Sequence, residues 1–164
     1  MRLVRPRSAD RDDFFAAVTR SRTLHHTWVY PPTTNAQWNV YLRRGRDVDA
    51  VATFVREQAT NAIVGVINLN NIIRGGLQQC FVGYYALAPH ERHGYMSEGL
   101  RLIVGYAFGE LGLHRLEANI QPGNVASKLL AERAGFSYEG FSPKYLQVGG
   151  TWSDHERWAR LADT

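Results

Sequence analysis

The run Asn124-Val-Ala-Ser-Lys-Leu-Leu-Ala-Glu-Arg-Ala-Gly-Phe136 constrains the architecture of this chain more than any other stretch. It reads as one complete helix. Asn124 is placed to cap the free amides of the first turn, Leu129 and Leu130 to face inward, and Gly135 to end the helix in a left-handed turn. Phe136 then starts a strand, and Arg115 to Ile120 on the other side is a strand as well. A short helix between two strands belongs to an α/β arrangement, and the rest of the chain supplies the partners.

Leu3 to Arg5 predicts a short strand that Pro6 ends. Ser8 is placed to cap a helix whose first turn is acidic (Asp10, Asp12, Asp13) and whose inner face is Phe14, Phe15, Ala17 and Val18. Thr34 with Gln37 forms a capping box ahead of Trp38, Tyr41 and Leu42. Asp49 to Val55 and Ile63 to Leu69 flank the polar turn Glu57 to Asn61 and predict a hairpin. After a turn at Gly75-Gly76, Gln79 to Leu87 is the next strand. Met96 to Leu111 is the clearest periodic helix, with Leu100, Ile103, Val104, Ala107, Phe108 and Leu111 on one face and Gly112 as its stop. A last hairpin turns at Gly149-Gly150. The predicted fold class is therefore α+β (mixed α/β): a central mixed, mostly antiparallel sheet of about seven strands with helices on both faces.

A chain of 164 residues is long enough for one domain with a full core and short for two, so residues 1–164 are read as a single domain. Apolar content of 45 % and charged content of 21 % are ordinary for a soluble globular protein. The net charge is +4, and of 19 basic residues only Lys128 and Lys144 are lysines. The positive residues are dispersed, which disfavours a basic RNA-binding helix. Cys80 stands alone, so no intrachain disulfide can form, and it reads as a small buried apolar residue. No signal-peptide core is present and no apolar run approaches the ~18 residues of a membrane span, so a cytoplasmic protein is expected. His25-His26 lack helical ligand spacing and a cysteine cluster, so no metal is expected.

The segment Ala88-Pro89-His90-Glu91-Arg92-His93-Gly94 leads from a strand into the Met96 helix. A loop entering a helix N-terminus offers free backbone N–H groups and the positive dipole end, which suits a pyrophosphate. Gly94 permits close backbone approach, and Arg92 and His93 add positive charge. An ordinary strand-to-helix loop has the same outline.

The Asn124 helix with its Ser127, Leu129-Leu130, Gly135-Phe136 and Glu139-Gly140 resembles the signature of the GNAT acetyltransferases, and within them the RimJ/RimL branch, which acetylates ribosomal-protein N-termini. Gly94, Met96, Glu98 and Leu100 match the pyrophosphate loop of that family, although Glu91 stands where Gln or Arg is usual and Arg92 where the first Gly is usual. Tyr145-Leu146, Gly150, Trp152, Asp154 and His155 resemble the closing pattern of the RimJ type. The resemblance is dense from Gly83 to His155 and weak before residue 60. It implies a GNAT fold in which two parallel strands splay and the pantetheine arm of acetyl-CoA lies between them. The matching segment is Tyr84 to Leu87, with backbone groups of Tyr85 and Leu87 facing the arm, and the splayed partner is Leu116 to Gln121. Implied cofactor contacts are Tyr85, Ala86, Leu87, Arg92, His93, Gly94, Tyr95, Met96, Asn124, Ser127 and Leu130. The segment between the first helices implies acceptor contacts at Trp28 and Tyr30, together with Tyr84.

Acetyl transfer by direct attack in a ternary complex needs a neutral amine, donors for the oxyanion and an acid for the departing thiolate. Many family members place a tyrosine acid where this chain has Ala131. Ser127 is the candidate for the leaving sulfur, and Glu139 the candidate base. An acidic residue that some relatives carry falls here on Lys144, and Asp154 with His155 is a further pair for proton transfer. An α-amine of pKa about 8 is roughly one-tenth neutral at pH 7, whereas a lysine near 10.4 needs about 3.4 kcal/mol of further help. A site without a strong base therefore favours a protein or peptide N-terminal α-amine, with a ribosomal protein as the implied partner and a second copy of the chain as another. Rival readings are a small-molecule acceptor (aminoglycoside, polyamine or amino acid) and a CoA-binding module without catalysis.

Overall fold

The computed structural model describes residues 1–163. Seven strands form one sheet in the order β1-β2-β3-β4-β5-β7-β6: β1 Arg2–Val4, β2 Val51–Arg56, β3 Ile63–Ile73, β4 Gln79–Ala86, β5 Arg115–Ile120, β6 Ser137–Val148 and β7 Thr151–Leu161. Only β4 and β5 are parallel; every other pair is antiparallel. The helices are α1 Arg11–Arg20, α2 Arg22–His25, α3 Asn35–Arg44, α4 Tyr95–Gly109 and α5 Val125–Arg133. The mixed, mostly antiparallel sheet expected from the sequence is the sheet observed.

Two apolar clusters cover its two faces. Phe14, Ala17 and Val18 of α1 and Trp38 of α3 pack on Phe54, Val66 and Leu87. Phe14 stacks on Trp38 and on Phe54 with ring centroids 5.2 and 5.3 Å apart. On the opposite face Leu100, Ile103, Val104 and Ala107 of α4 lie on Val55, Ile67, Leu69, Cys80 and Leu116. Each large side chain buried this way contributes about 1.5–3 kcal/mol. All six residues of β2 are buried, because it is covered on both faces.

Local signals acted mostly as their chemistry requires. Thr34 Oγ1 accepts from the Gln37 amide at 3.3 Å, and the Gln37 side chain accepts in return from the Thr34 amide at 3.2 Å. Asn124 Oδ1 accepts the Ser127 amide at 3.2 Å. Gly135 takes φ +81°, and the amides of Gly135 and Phe136 bond back to Glu132 and Ala131 at 2.9 and 3.0 Å, which closes α5 with a Schellman turn. Two expectations differ from the structure. Ser8 does not cap the first helix; it opens a 3₁₀ turn in which Asp10 reaches back to the Arg7 amide at 2.7 Å. Leu129 does not face inward, being 47 % exposed, and the buried residue of α5 is Ala131. The reason is that α5 turns its leucine side toward an open cleft rather than toward the sheet.

Candidate active site

The parallel strands β4 and β5 are paired only at Gln79–Arg115, Cys80–Leu116 and Phe81–Glu117. Beyond Phe81 and Glu117 they part, so Val82 to Ala86 and Ala118 to Ile120 border a gap. The gap opens into a cleft of about 860 Å³ whose walls also include α5, the start of α4 and the loop after α2.

Which backbone groups of β4 face the gap follows from its antiparallel register with β3. The Leu87 amide donates to Val64 O at 2.9 Å, and the pairs Tyr85–Val66 and Tyr84–Ile67 continue that register. Groups alternate along such a ladder, so the Leu87 amide and both backbone groups of Tyr85 are spent on β3, and Tyr84 and Ala86 turn theirs toward the gap. This corrects the expectation by one residue. Leu87 is fully buried among the α1 and α3 aromatics, and its carbonyl accepts the His90 amide at 3.0 Å.

At the wide end of the cleft, Gly94 takes φ +78° at the N-terminus of α4 and no side chain caps the helix. The amides of Tyr95, Met96 and Ser97 have no acceptor among the described residues. A Cβ built on Gly94 would meet nothing within 4 Å, so the approach to these donors is open. Free first-turn amides with the positive dipole end suit a pyrophosphate. Arg92 lines this end of the cleft, while His93 lies outside it, its Nδ1 2.8 Å from Glu91 O and its ring stacked on Tyr95. Glu91 also lines the cleft, and its Oε2 is buried without a partner.

On the other wall, Asn124, Ser127 and Leu130 come together along α5. The backbone of Ser127 is held at both ends: its amide donates to Asn124 Oδ1, and its carbonyl accepts from the Tyr84 hydroxyl at 2.8 Å. Its Oγ has no partner among the described residues, and the residue lines the same cleft. Burial pushes the Tyr84 phenol up to about 12, against the lowering effect of its bond to Ser127, so it stays a donor at physiological pH. In the gap itself, Asn119 Oδ1 is buried with no partner. Leaving such an acceptor unpaired costs about 1–3 kcal/mol. An amide N–H of a pantetheine arm or an acceptor amine would satisfy it. The open phosphate end, the free strand edge and this orphaned acceptor together suit acetyl-CoA.

The remaining site expectations are scattered. Glu139 does not lie in the cleft; both its oxygens accept from the Arg115 guanidinium, whose bond holds the carboxyl below the usual range. It sits on β6, two strands away from β5 in the sheet, and lines a separate groove with Arg133, Ser137 and Arg160. Trp28 lines the cleft and packs over Gly123, whereas Tyr30 is 60 % exposed and rests on Gly149 of the last hairpin. Asp154 and His155 do not pair: Asp154 accepts the Lys144 amide at 2.8 Å, and His155 Nδ1 is 2.8 Å from Ser153 O. The sequence reading missed Asn119 and Ser97, and it placed His25 in the acceptor segment without giving it a role. Asn119 carries no motif and is visible only through strand register. The contact of His25 with Ala86, 61 residues away, was not legible.

The family model of the acetyltransferase (GNAT) domain matches residues 1–137. The chain is 45 % identical over 94 residues to a probable N-acetyltransferase, YjcK, of Bacillus subtilis, covering 57 % of this chain and 52 % of that protein. It is 37 % identical over 93 residues to the [ribosomal protein uS5]-alanine N-acetyltransferase of Escherichia coli, covering 57 % of this chain and 48 % of that protein. The matches thus span about half the length of these curated relatives. Among solved structures, Mycobacterium smegmatis RimJ in complex with CoA-disulfide superposes with a TM-score of 0.87 at 22 % identity, over 98 % of this chain and 81 % of that one. The spermidine N-acetyltransferase of Vibrio cholerae in complex with CoA and spermine gives 0.81 at 18 % identity, over 98 % and 94 %. Both structures attest the fold. With a family model spanning the chain from Met1 through the start of β6, this chain belongs to the GNAT acetyltransferase family.

Proposed function

We propose that this protein transfers the acetyl group of acetyl-CoA to a primary amine, and that the preferred acceptor is the α-amine of a protein or peptide N-terminus. The observation that carries the reading is the gap after Phe81 and Glu117, which leaves the backbone groups of Tyr84 and the amide of Ala86 unpaired on a line toward the uncapped start of α4. In this reading the pyrophosphate lies against the amides of Tyr95 to Ser97, and Arg92 adds charge. The arm occupies the gap, and Ser127 Oγ stands beside the leaving sulfur. Acetyl-CoA supplies the activated thioester; the chain's own groups position it and the acceptor.

The relative from Escherichia coli acts on a ribosomal-protein alanine, and a structural neighbour acts on spermidine. Charge in the cleft favours the former class. Glu91 is the one carboxylate among the described residues that line the cleft, against Arg92 and Arg133. A polyamine with several ammonium groups needs several carboxylates, whereas an N-terminus brings one. The chemistry agrees, since an α-amine is already about one-tenth neutral at pH 7.

The test is a thiol-release assay with acetyl-CoA against free N-terminal peptides, the same peptides blocked at the N-terminus but carrying a lysine, and spermidine. The expected order of kcat/KM puts the free α-amine first. A higher value for the lysine ε-amine or for spermidine would reject the N-terminal assignment, and no turnover with any amine would reject acetyl transfer.

A further inference from the structure

The imidazole of His25 is only 5 % exposed and forms part of the cleft wall at the end of α2. Its Nε2 lies 2.9 Å from the carbonyl oxygen of Ala86, which closes the gap-facing edge of β4. A carbonyl oxygen only accepts, so Nε2 carries the hydrogen, and in the neutral ring Nδ1 carries the lone pair. No group among the described residues bonds to Nδ1. Tyr85 meets the ring edge-on with centroids 5.1 Å apart, which holds its plane. Burial lowers the affinity of the ring for a proton, outweighing the opposite effect of the Ala86 bond, so His25 is mainly neutral at pH 7. The titratable groups that share the cleft are Tyr84 and Tyr85 on β4, His90, Glu91 and Arg92 on the loop before α4, Tyr95 on α4 and Arg133 on α5. Arg22 and His26 are its neighbours in sequence. None of them bonds to the ring, so no carboxylate holds it charged.

We propose that His25 is the proton acceptor for the amine substrate, acting through Nδ1. This rests on the acetyl-transfer reading above and names the base that reading lacks. The acceptor ammonium gives one proton to Nδ1, and the freed lone pair forms the new C–N bond at the thioester carbonyl. As the C–S bond breaks, its electron pair leaves on sulfur, which takes the second proton of the nitrogen and departs as a thiol. The first proton then passes from the imidazolium to solvent. A neutral imidazole is a weak base, so it can relieve an α-amine near pKa 8 of its proton far more readily than an ε-amine near 10.4. The same residue that supplies the base therefore also sets the class of acceptor.

His25→Gln keeps an N–H for Ala86 O and removes the base. The experiment combines the pH profile of kcat/KM on a free N-terminal peptide, CoA affinity by calorimetry, and the imidazole ¹⁵N spectrum of the wild type with and without CoA. The expected result is a loss of roughly 100-fold in kcat/KM. The acidic inflection disappears, CoA affinity and the KM for acetyl-CoA stay within about threefold, and the spectrum gives the Nε2–H tautomer. An unchanged profile in His25→Gln overturns the proposal, as does an inflection that disappears instead in Glu91→Gln, or a spectrum giving the Nδ1–H tautomer. If the wild type turns over no amine, acetyl transfer and this proposal fall together; if it turns over normally and the variant matches it, only His25 falls.

Discussion

The Tyr84 hydroxyl donates to the Ser127 carbonyl oxygen at 2.8 Å, so the strand that edges the gap is tied directly to the helix that forms its far wall. The bond spans 43 residues of sequence and joins β4 to the first turn of α5, where Asn124 already holds the Ser127 amide. Tyr84→Phe removes one part-buried hydrogen bond, worth about 1 kcal/mol. For a chain of this length the melting temperature should fall by about 2–4 °C. Because the folded phenol titrates at about 12 rather than the ordinary value near 10, its contribution is fully present below pH 10 and is lost as pH rises through 12. Thermal melts of both proteins between pH 8 and pH 11 should therefore converge at the alkaline end. A constant difference across that range would contradict this assignment.

Ser127 has its backbone fixed at both ends and its hydroxyl free, which is the arrangement of a side chain held ready for a ligand. Ser127→Ala should lower kcat by at least about tenfold while CoA affinity changes less than about threefold. Stability should be unaffected within about 0.5 kcal/mol. Equal losses in CoA affinity and rate would make Ser127 a binding contact only.

The start of α4 offers a test in which stability and binding move in opposite directions. Asp tolerates the positive φ of Gly94 better than most residues, and its carboxylate favours the dipole end of the helix. Gly94→Asp should thus fold with a melting temperature within a few degrees of the wild type, yet repel a pyrophosphate and weaken CoA by about tenfold or more. Calorimetry with CoA reads the second effect directly. Unchanged affinity would move the phosphates away from these amides.

The elements were legible because each is written in local chemistry. The capping box at Thr34 and Gln37, the Asn124 cap, the Gly135 terminator and the apolar face of α4 involve residues within four positions of each other, and all four appeared as read. The failures arise where a side chain or backbone group answers to a distant partner. Leu129 has the spacing of a core residue, but the element it faces is an opening that only the parting of β4 and β5 creates. The choice between Tyr85 and Tyr84 as the gap-facing backbone depends on the β3 register, which a strand pattern does not encode. Glu139 has the look of a base until Arg115, 24 residues earlier, claims both oxygens. His25 owes its tautomer to a carbonyl 61 residues away. The part of the site that was legible is therefore the part made of helix ends.

The measurement that bears most directly on the central claim is residue-resolved hydrogen exchange of β4 with and without saturating CoA. If the arm lies along the free edge of this strand, the amides of Tyr84 and Ala86 should slow by about tenfold or more, while those of Tyr85 and Leu87, already bonded to β3, stay unchanged. Unaltered exchange at both Tyr84 and Ala86 in the presence of bound CoA would contradict the account.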